Sequence, residues 1–259
     1  MTKPLSIAVT GIAGRMGKAL RDAISSQDDL YLGAATEAPG HALVGELVDG
    51  VEVVDTLSGA LVGVDAIVDF APPDVTARNA ELAAEAGVSF VSGTTALEDR
   101  HHKTLEQAAQ RIPVLWAPNM SVGVAVLCQL VEQAATILGE DFDPELFEIH
   151  HRYKVDAPSG TANRLVEVLK TVRELHAVNG REGTPGARPA NEIGVHALRG
   201  GDVVGEHTVV FAGLGERVEL THRAHSRQTF AQGALRAARF LQTQKPGIYD
   251  MNDVLGLAS

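Results

Sequence analysis

Leu5-Ser-Ile-Ala-Val-Thr-Gly-Ile-Ala-Gly-Arg-Met-Gly-Lys-Ala-Leu-Arg-Asp-Ala-Ile24 reads as a strand, a glycine-rich turn and a helix in direct succession. Leu5 to Thr10 is a short apolar run, and from Lys18 to Ile24 the apolar residues recur at helical period. Between them Gly11, Gly14 and Gly17 let backbone N–H groups come close to a ligand, with the positive end of a helix dipole directly behind them. Strand, turn and helix in this order are the setting a dinucleotide-binding fingerprint requires. The spacing is G-x-x-G-x-x-G rather than the commoner G-x-G-x-x-G, so alone it would also suit a turn needed only for packing. The sequel favours a nucleotide. A second apolar run, Leu30 to Thr36, ends at Glu37, 20 residues beyond Gly17, where an acidic side chain would hold a ribose diol. The next residue is Ala38, and no arginine follows closely. A 2′-phosphate would meet a carboxylate with only His41 as a partial counter-charge, so NADH is expected in preference to NADPH.

Working outward, Ala66 to Phe70, Ser89 to Ser92 and Pro113 to Trp116 read as further strands, each separated from the next by a helical stretch. Asp74 is expected to cap the helix that runs through Ala86, and another helix to reach about Arg111. This alternation predicts an α/β fold, a Rossmann-like doubly wound parallel sheet. Ligands of such sheets sit beyond the carboxyl ends of the strands. Phe70, the turn Gly93-Thr94-Thr95 and the turn Ala117-Pro118-Asn119-Met120 all fall there and are candidate walls for a nicotinamide, although Thr94 and Asn119 taken singly also suit plain turns.

From Val122 the character changes. A strongly apolar helix to Leu138 precedes the strand Glu145 to Ile149, which leads into Glu148-Ile-His-His-Arg-Tyr-Lys-Val-Asp-Ala-Pro-Ser-Gly-Thr-Ala162. His150, His151, Arg152 and Lys154 place titratable or cationic side chains at four of five positions, in a chain with 33 acidic and 22 basic residues. A helix from Thr161 to about His176 would add free N–H groups at its start. Two anion-binding devices in one segment imply a small ligand with two negative groups; the bland alternative is a solvated turn with a helix cap. The Gly- and Pro-rich run Gly180 to Pro189 is expected to be an exposed loop. Ile193 to Leu198, Val204 to Phe211 and Arg217 to Ala224 read as consecutive strands, giving an α+β domain with a mixed open sheet, and Gln228 to Thr243 is helical again. The expected division is a dinucleotide-binding domain of residues 1–121 with 228–259, and a substrate-binding domain of residues 122–227, to which the resemblance described below adds oligomerisation.

The totals narrow the class of partner. With 259 residues and 45% apolar content the chain can bury a real core, and a net charge of −11 argues against nucleic acid. Cys128 is the single cysteine, inside an apolar helix, so a disulfide within the chain is excluded and a reducing cytoplasm is the expected setting. No apolar run approaches the roughly 20 residues of a membrane helix, and no leader is recognisable. His101 and His102 are expected on a polar helix face; His196, His207 and His222 are expected to be packed or interfacial. Adjacent strand residues point to opposite faces, so His150 and His151 cannot both aim at one atom unless the strand ends there. With no third ligand nearby, no metal site is expected.

Gly11-x-x-Gly-Arg-Met-Gly17, Gly93-Thr-Thr95, Ala117-Pro-Asn-Met-Ser-Val-Gly123, the block from His150 to Ala162, Arg199-Gly-Gly-Asp-Val-Val-Gly-Glu-His-Thr208 and Ser226-Arg-Gln-Thr-Phe230 occur in this order. Together they resemble the 4-hydroxy-tetrahydrodipicolinate (dihydrodipicolinate) reductase family over essentially the whole chain. The E-x-H-H-x-x-K-x-D-A-P-S-G-T-A block is far more specific than any glycine loop. The resemblance implies reduction of a cyclic imine bearing two carboxylates, in lysine and diaminopimelate synthesis, by NADH or NADPH. It implies that His150 is the proton donor or acceptor and Lys154 a second proton donor, with His151 on the substrate and Ser159, Gly160 and Thr161 holding a carboxylate. Arg227 is a further candidate carboxylate partner, through a bidentate guanidinium. Gly11, Ile12, Ala13, Gly14, Arg15, Met16, Gly17, Glu37, Phe70, Gly93 to Thr95 and Ala117 to Met120 match cofactor contacts, and the subunits would pair their C-terminal sheets into a homotetramer. Two rival readings fit the residues less well. A nucleotide sensor without turnover would have little need of both His150 and Lys154, and a semialdehyde dehydrogenase would need a nucleophilic thiol that Cys128 does not suit.

Overall fold

The computed structural model describes residues 3–257; Met1, Thr2, Ala258 and Ser259, which the expected domain boundaries include, lie outside the described residues. In chain order the elements are β1 (Leu5–Thr10), α1 (Arg15–Ser25), β2 (Leu30–Thr36), β3 (Leu47–Val48), β4 (Val51–Val54), β5 (Ala66–Asp69), α2 (Pro73–Ala86), β6 (Ser89–Ser92), α3 (Asp99–Ala109) and β7 (Pro113–Trp116). There follow α4 (Val122–Leu138), β8 (Asp143–His150), α5 (Gly160–Val172), β9 (His176–Asn179), β10 (Glu192–Arg199), β11 (Gly205–Ala212), β12 (Arg217–Ala224), α6 (Gln228–Leu241), β13 (Gly247–Tyr249) and α7 (Met251–Leu255). Residues up to Ser121 and those from Arg227 onward form one compact unit, and Val122–Ser226 the other.

The first unit is a sheet in the order β13-β7-β6-β5-β1-β2-β4-β3, parallel except for the short β3–β4 pair. Ile7, Ala8 and Val9 of β1 are all fully buried, as a parallel strand covered on both faces must be. Ala8, Ile67, Phe90 and Val114 pack with α2 and α3, and the alternate residues Val9, Val68, Val91 and Leu115 turn to the opposite face. Strand order reverses between β1 and β5, so the turns after these two strands flank the switch point where doubly wound sheets bind ligands. Asp69, fully buried at the end of β5, ties this region together. It accepts from Thr10 Oγ1 at 2.8 Å, Asn79 Nδ2 at 2.9 Å and Thr76 Oγ1 at 2.6 Å.

Two local expectations for this unit are corrected. Asp74 does not cap α2: Pro72 occupies that position, and Asp74 sits in the first turn, bonded to His101 and Arg100. His101 is not on a polar face but 3% exposed; its Nδ1 takes the Glu98 N–H at 2.9 Å and closes a capping box at the start of α3.

The second unit is a mixed sheet, β12-β11-β8-β10-β9, in which β8, β10 and β9 run parallel and β11 is antiparallel to both its neighbours. Leu146, Ile193, Val195, Val209 and Phe211 pack beneath α4 and α5. On the other face Phe147 and Leu198 stay exposed. α5 stops at Val172 rather than near His176. Arg173 is extended at φ −139°, its guanidinium donating to Gly139 O at 3.0 Å and Phe142 O at 2.8 Å, and His176–Asn179 becomes the edge strand β9. The run Val122–Asp141 is, by length and composition, apolar enough to cross a membrane, contrary to the sequence expectation. It buries Val124, Leu127, Val131 and Ala135 and turns Glu132 and Gln133 outward, the pattern of a helix covering a core.

Candidate active site

In the first unit the glycine turn is shaped by what cannot be there. Gly11 has φ +63°, a left-handed conformation that favours glycine, and a Cβ on Gly17 would lie 2.2 Å from Gly11 O and 2.7 Å from Ile12. At Gly14 the same test gives 3.1 Å, tight but less severe. No side chain caps α1 and no acid stands in its first turn, so its dipole end meets whatever binds in front of Gly14, Arg15 and Met16. Glu37 reaches back to the same turn: its Oε2 accepts from the Ala13 N–H at 2.9 Å and its Oε1 from Ala38 N–H at 3.0 Å. Phe70 packs against Gly93, where a Cβ would stand 2.0 Å from the ring. Thr94 is buried, its hydroxyl 2.8 Å from that of Thr76 and its carbonyl accepting from Trp116 Nε1 at 2.9 Å, while Thr95 is exposed. Ala117 N–H donates to Ser92 O at 3.1 Å, Asn119 Oδ1 accepts from Ser121 N–H at 2.8 Å, Pro118 is exposed and Met120 buried. The expected cofactor residues from Gly11 to Met120 therefore gather on the turns at the carboxyl ends of β1, β2, β5, β6 and β7. A cradle of small residues before an uncapped helix suits a dinucleotide pyrophosphate.

The second unit builds its polar cluster from strand register. Leu146, Glu148 and His150 alternate onto the helix-covered face of β8; Arg199 pairs with His150 in the β10 ladder and His207 with Glu148 in the β11 ladder. All four polar side chains thus converge. Glu148 is fully buried and His150 8% exposed, with a hydrogen bond from His150 Nδ1 to Glu148 Oε2. Glu148 Oε1 accepts from Ser159 N–H at 3.2 Å and from both terminal nitrogens of Arg199 at 3.1 Å. With Nδ1 bonded to the carboxylate, Nε2 is the remaining polar atom of the His150 ring. Gly205 makes room for that edge: a Cβ there would lie 2.8 Å from His150 Nε2. Burial pushes the His150 imidazole below its ordinary pKa; the adjacent Glu148 carboxylate opposes this, and Lys154 and Arg199 add to it.

β8 ends at His150, so His151 lies off the strand and the geometric conflict between neighbouring histidines does not arise. Lys154 donates its backbone N–H to His151 O and pairs through Nζ with Asp156 at 2.8 Å. Ser159 caps α5, accepting from Ala162 N–H at 3.2 Å, and its hydroxyl is 3.0 Å from His207 Nε2. It is 2% exposed with its polar atoms already partnered, whereas Gly160 and Thr161 reach the surface at the helix start. Among the described residues, Nδ1 of His151 and Nδ1 of His207 are buried without a hydrogen-bond partner, an arrangement that suits a polar ligand. Arg227 belongs to the first unit, at the N-cap of α6.

Sequence reasoning missed three members. The motifs that contain Glu148 and Arg199 give them no role, and His207 is expected from sequence to be packed or interfacial. The signal available was the i, i+2 spacing of Glu148 and His150 on one strand; the register that adds Arg199 and His207 is not written in any local pattern. The expectation that no third ligand stands near the histidines is also corrected, since ligand atoms of Glu148, His150 and His207 lie within 4.8 Å of one another. Arg199 holds the second oxygen of Glu148, and a guanidinium beside a carboxylate makes a poor cation cage. His207 is driven down to about 3 by burial and by His150, His222 and Lys154, so it is neutral at pH 7.

A doubly wound sheet with a glycine cradle at its switch point, carrying a second unit with a buried imidazole–carboxylate pair, defines a two-unit dinucleotide-dependent oxidoreductase. The sequence matches "Dihydrodipicolinate reductase, N-terminus" over residues 5–120 and "Dihydrodipicolinate reductase, C-terminus" over residues 123–255. The chain belongs to the dihydrodipicolinate reductase family and is an NAD(P)H-dependent oxidoreductase. It is 49% identical to a 4-hydroxy-tetrahydrodipicolinate reductase of Thiobacillus denitrificans, over 97% of this chain and 98% of that one. A protein of the same name from an Anaeromyxobacter species is 51% identical over 98% and 99% of the two chains. Among solved structures, a dipicolinate-bound dihydrodipicolinate reductase from Paenisporosarcina sp. TG-14 shares the fold at a TM-score of 0.79 and 23% identity, covering 96% of this chain and 98% of that one.

Proposed function

We propose that the chain reduces 4-hydroxy-tetrahydrodipicolinate, by way of the cyclic imine dihydrodipicolinate, to tetrahydrodipicolinate in lysine and diaminopimelate synthesis, with NADH preferred to NADPH. The observation that carries this reading is the meeting, in one unit, of His150, His151, Lys154 and the start of α5 around a buried carboxylate–imidazole pair. A bound reduced nicotinamide supplies the hydride. Everything else falls to the chain. Gly160 and Thr161 at the dipole end of α5 and the cationic Lys154 bind the two carboxylates, and His151 Nδ1 adds a contact. Hydride adds to the carbon–carbon double bond conjugated with the imine, electron density rises on the ring nitrogen, and a proton from Nε2 of His150, backed by Glu148, completes the reduction with the C=N bond kept in the product; Lys154 is the second donor. Proton delivery of this kind contributes about 10²–10⁴-fold to rate.

The ribose side supports NADH. Glu37 holds two backbone N–H groups and is followed by Ala38, so a 2′-phosphate there would face a carboxylate without a guanidinium. Arg227 as a carboxylate partner, the homotetramer formed across the face bearing Phe147 and Leu198, and a cytoplasmic setting belong to the same proposal. The test is a coupled assay: the product of dihydrodipicolinate synthase is supplied and NADH absorbance followed, with NADPH in parallel. Turnover with the lower Michaelis constant for NADH is expected. Lys154→Ala is expected to lower kcat by about 10²-fold or more with NADH affinity nearly intact. No turnover, or a Lys154→Ala variant that loses only cofactor binding, would overturn the reading.

A further inference from the structure

We infer that Glu148 is a positioning residue for proton transfer: with Arg199 on its second oxygen, it fixes the His150 ring with Nδ1–H inward and sets the pH at which Nε2 holds its proton. The inference rests on the proposal that His150 serves as proton donor. Glu148 is buried on every side and touches no surface, so it cannot meet substrate itself; its four hydrogen bonds run to His150 Nδ1, Ser159 N–H and the two Arg199 nitrogens. Arg199 is anchored in turn, donating to Asp156 O and Leu198 O at 2.6 Å each. The carboxylate therefore cannot swing away from the imidazole without breaking a network that joins β8, β10 and the start of α5. Buried acceptor–imidazole pairs of this form select one tautomer and stabilise the imidazolium when it forms.

The charged and titratable groups facing His150 are Glu148 on its own strand, Lys154 from the following turn, Arg199 from β10 and His207 from β11, whose ring centroid lies 5.1 Å away. His222 of β12 stands beyond His207 in the ladder. Of these only Glu148 is an anion, so removing it and removing Arg199 must move the His150 equilibrium in opposite directions. Glu148→Gln leaves three positive or neutral neighbours and lowers the imidazole's proton affinity. Arg199→Gln removes a cation and raises it. A merely structural role for either residue would damage activity without a signed shift.

The experiment measures kcat against pH for wild type, Glu148→Gln, Glu148→Asp, Arg199→Gln and His150→Gln, alongside NMR titration of the His150 ring. Glu148→Gln is expected to move the alkaline limb of kcat and the His150 pKa down by about one pH unit or more, and Arg199→Gln to move both up. Glu148→Asp, which keeps the charge, should lie between Glu148→Gln and wild type. Thermal melts identify any variant that fails to fold, and the Arg199 arm then carries the sign test alone. If His150→Gln is slow but the limb stays fixed in the folded Glu148 and Arg199 variants, this inference fails and the proton-donor reading survives. If His150→Gln turns over like wild type, the proton-donor reading itself fails.

Discussion

At the scale of single residues, the buried imidazoles tie the site to the stability of the fold. His207 is 3% exposed and is held neutral down to about pH 3, whereas in the unfolded chain it titrates near its ordinary value of 6.5. Between those values the unfolded state binds more protons, so stability is fully present above about pH 6.5 and is lost as the pH falls toward 3. One proton contributes a slope of about 1.4 kcal/mol per pH unit, hence about 2 kcal/mol between pH 6.5 and pH 5. His207→Asn should therefore lose stability less steeply on acidification than wild type. Its absolute stability at pH 7 will be lower, because one of the partners of Ser159 Oγ is gone, but the difference between urea midpoints at pH 7 and pH 5 should shrink. Equal acid sensitivity in the two proteins would mean that His207 protonates within the fold. The site was only partly legible at this scale. His150, His151 and Lys154 lie in one contiguous block, whose charge is conspicuous in an acidic chain. Arg199 and His207 depend on which strands pair, and a histidine among Val209 and Phe211 reads as core until the ladder sets it opposite Glu148.

At the scale of elements, the glycine turn and the start of α1 make a sharper prediction than the sequence allowed. Gly14 and Gly17 look equivalent in a G-x-x-G-x-x-G pattern, yet the space around them differs: a Cβ meets Gly11 O at 3.1 Å from Gly14 and at 2.2 Å from Gly17. Gly14 is exposed in extended backbone at the helix N-cap, so Gly14→Val should fold with nearly the wild-type melting temperature and lose NADH affinity. Gly17→Ala drives a carbon into backbone that cannot yield, and should lower the melting temperature as well as NADH affinity. Fluorescence titration with NADH beside thermal melts separates the two; a Gly17→Ala protein as stable as wild type would show that the turn can open. Most elements were readable because strong period and turn chemistry agreed, as in β12, where Val218, Leu220 and His222 alternate with exposed Glu219, Thr221 and Arg223. The exceptions are short. β3 and β13, of two and three residues, have too little pattern to stand out, and β4, no longer than the readable β5, β6 and β7, has Glu52 in its midst. β9 in addition follows α5 so closely that its residues extend the helical run on paper, whereas in the fold the helix ends at the extended, anchored Arg173.

At the scale of the whole chain, each unit has apolar packing of its own. In the first, Ala8, Ile67, Phe90 and Val114 gather with α2 and α3; in the second, Leu146, Val195 and Phe211 gather with α4 and α5. Each unit can therefore be stabilised by its own ligand, because a molecule that binds only the folded state adds RT ln(1 + [L]/Kd), about 2.7 kcal/mol at 100 times Kd. The net charge of −11 works against a dianion everywhere except where cations are concentrated, and the stretch from His150 to Lys154 is such a place. Hydrogen exchange should separate the two ligands. NADH is expected to slow exchange in the turns around Gly11–Gly17, Glu37 and Gly93–Thr95. Pyridine-2,6-dicarboxylate, a planar dianion that mimics the ring and both carboxylates of the proposed substrate, is expected to slow it around His151–Thr161. Protection of the glycine turn by the dicarboxylate, with none near Gly160 and Thr161, would remove the second unit from substrate binding. Protection near Gly160 and Thr161 at saturation, about a hundredfold slower exchange where opening limits it, is the result that a dianion site at the start of α5 requires.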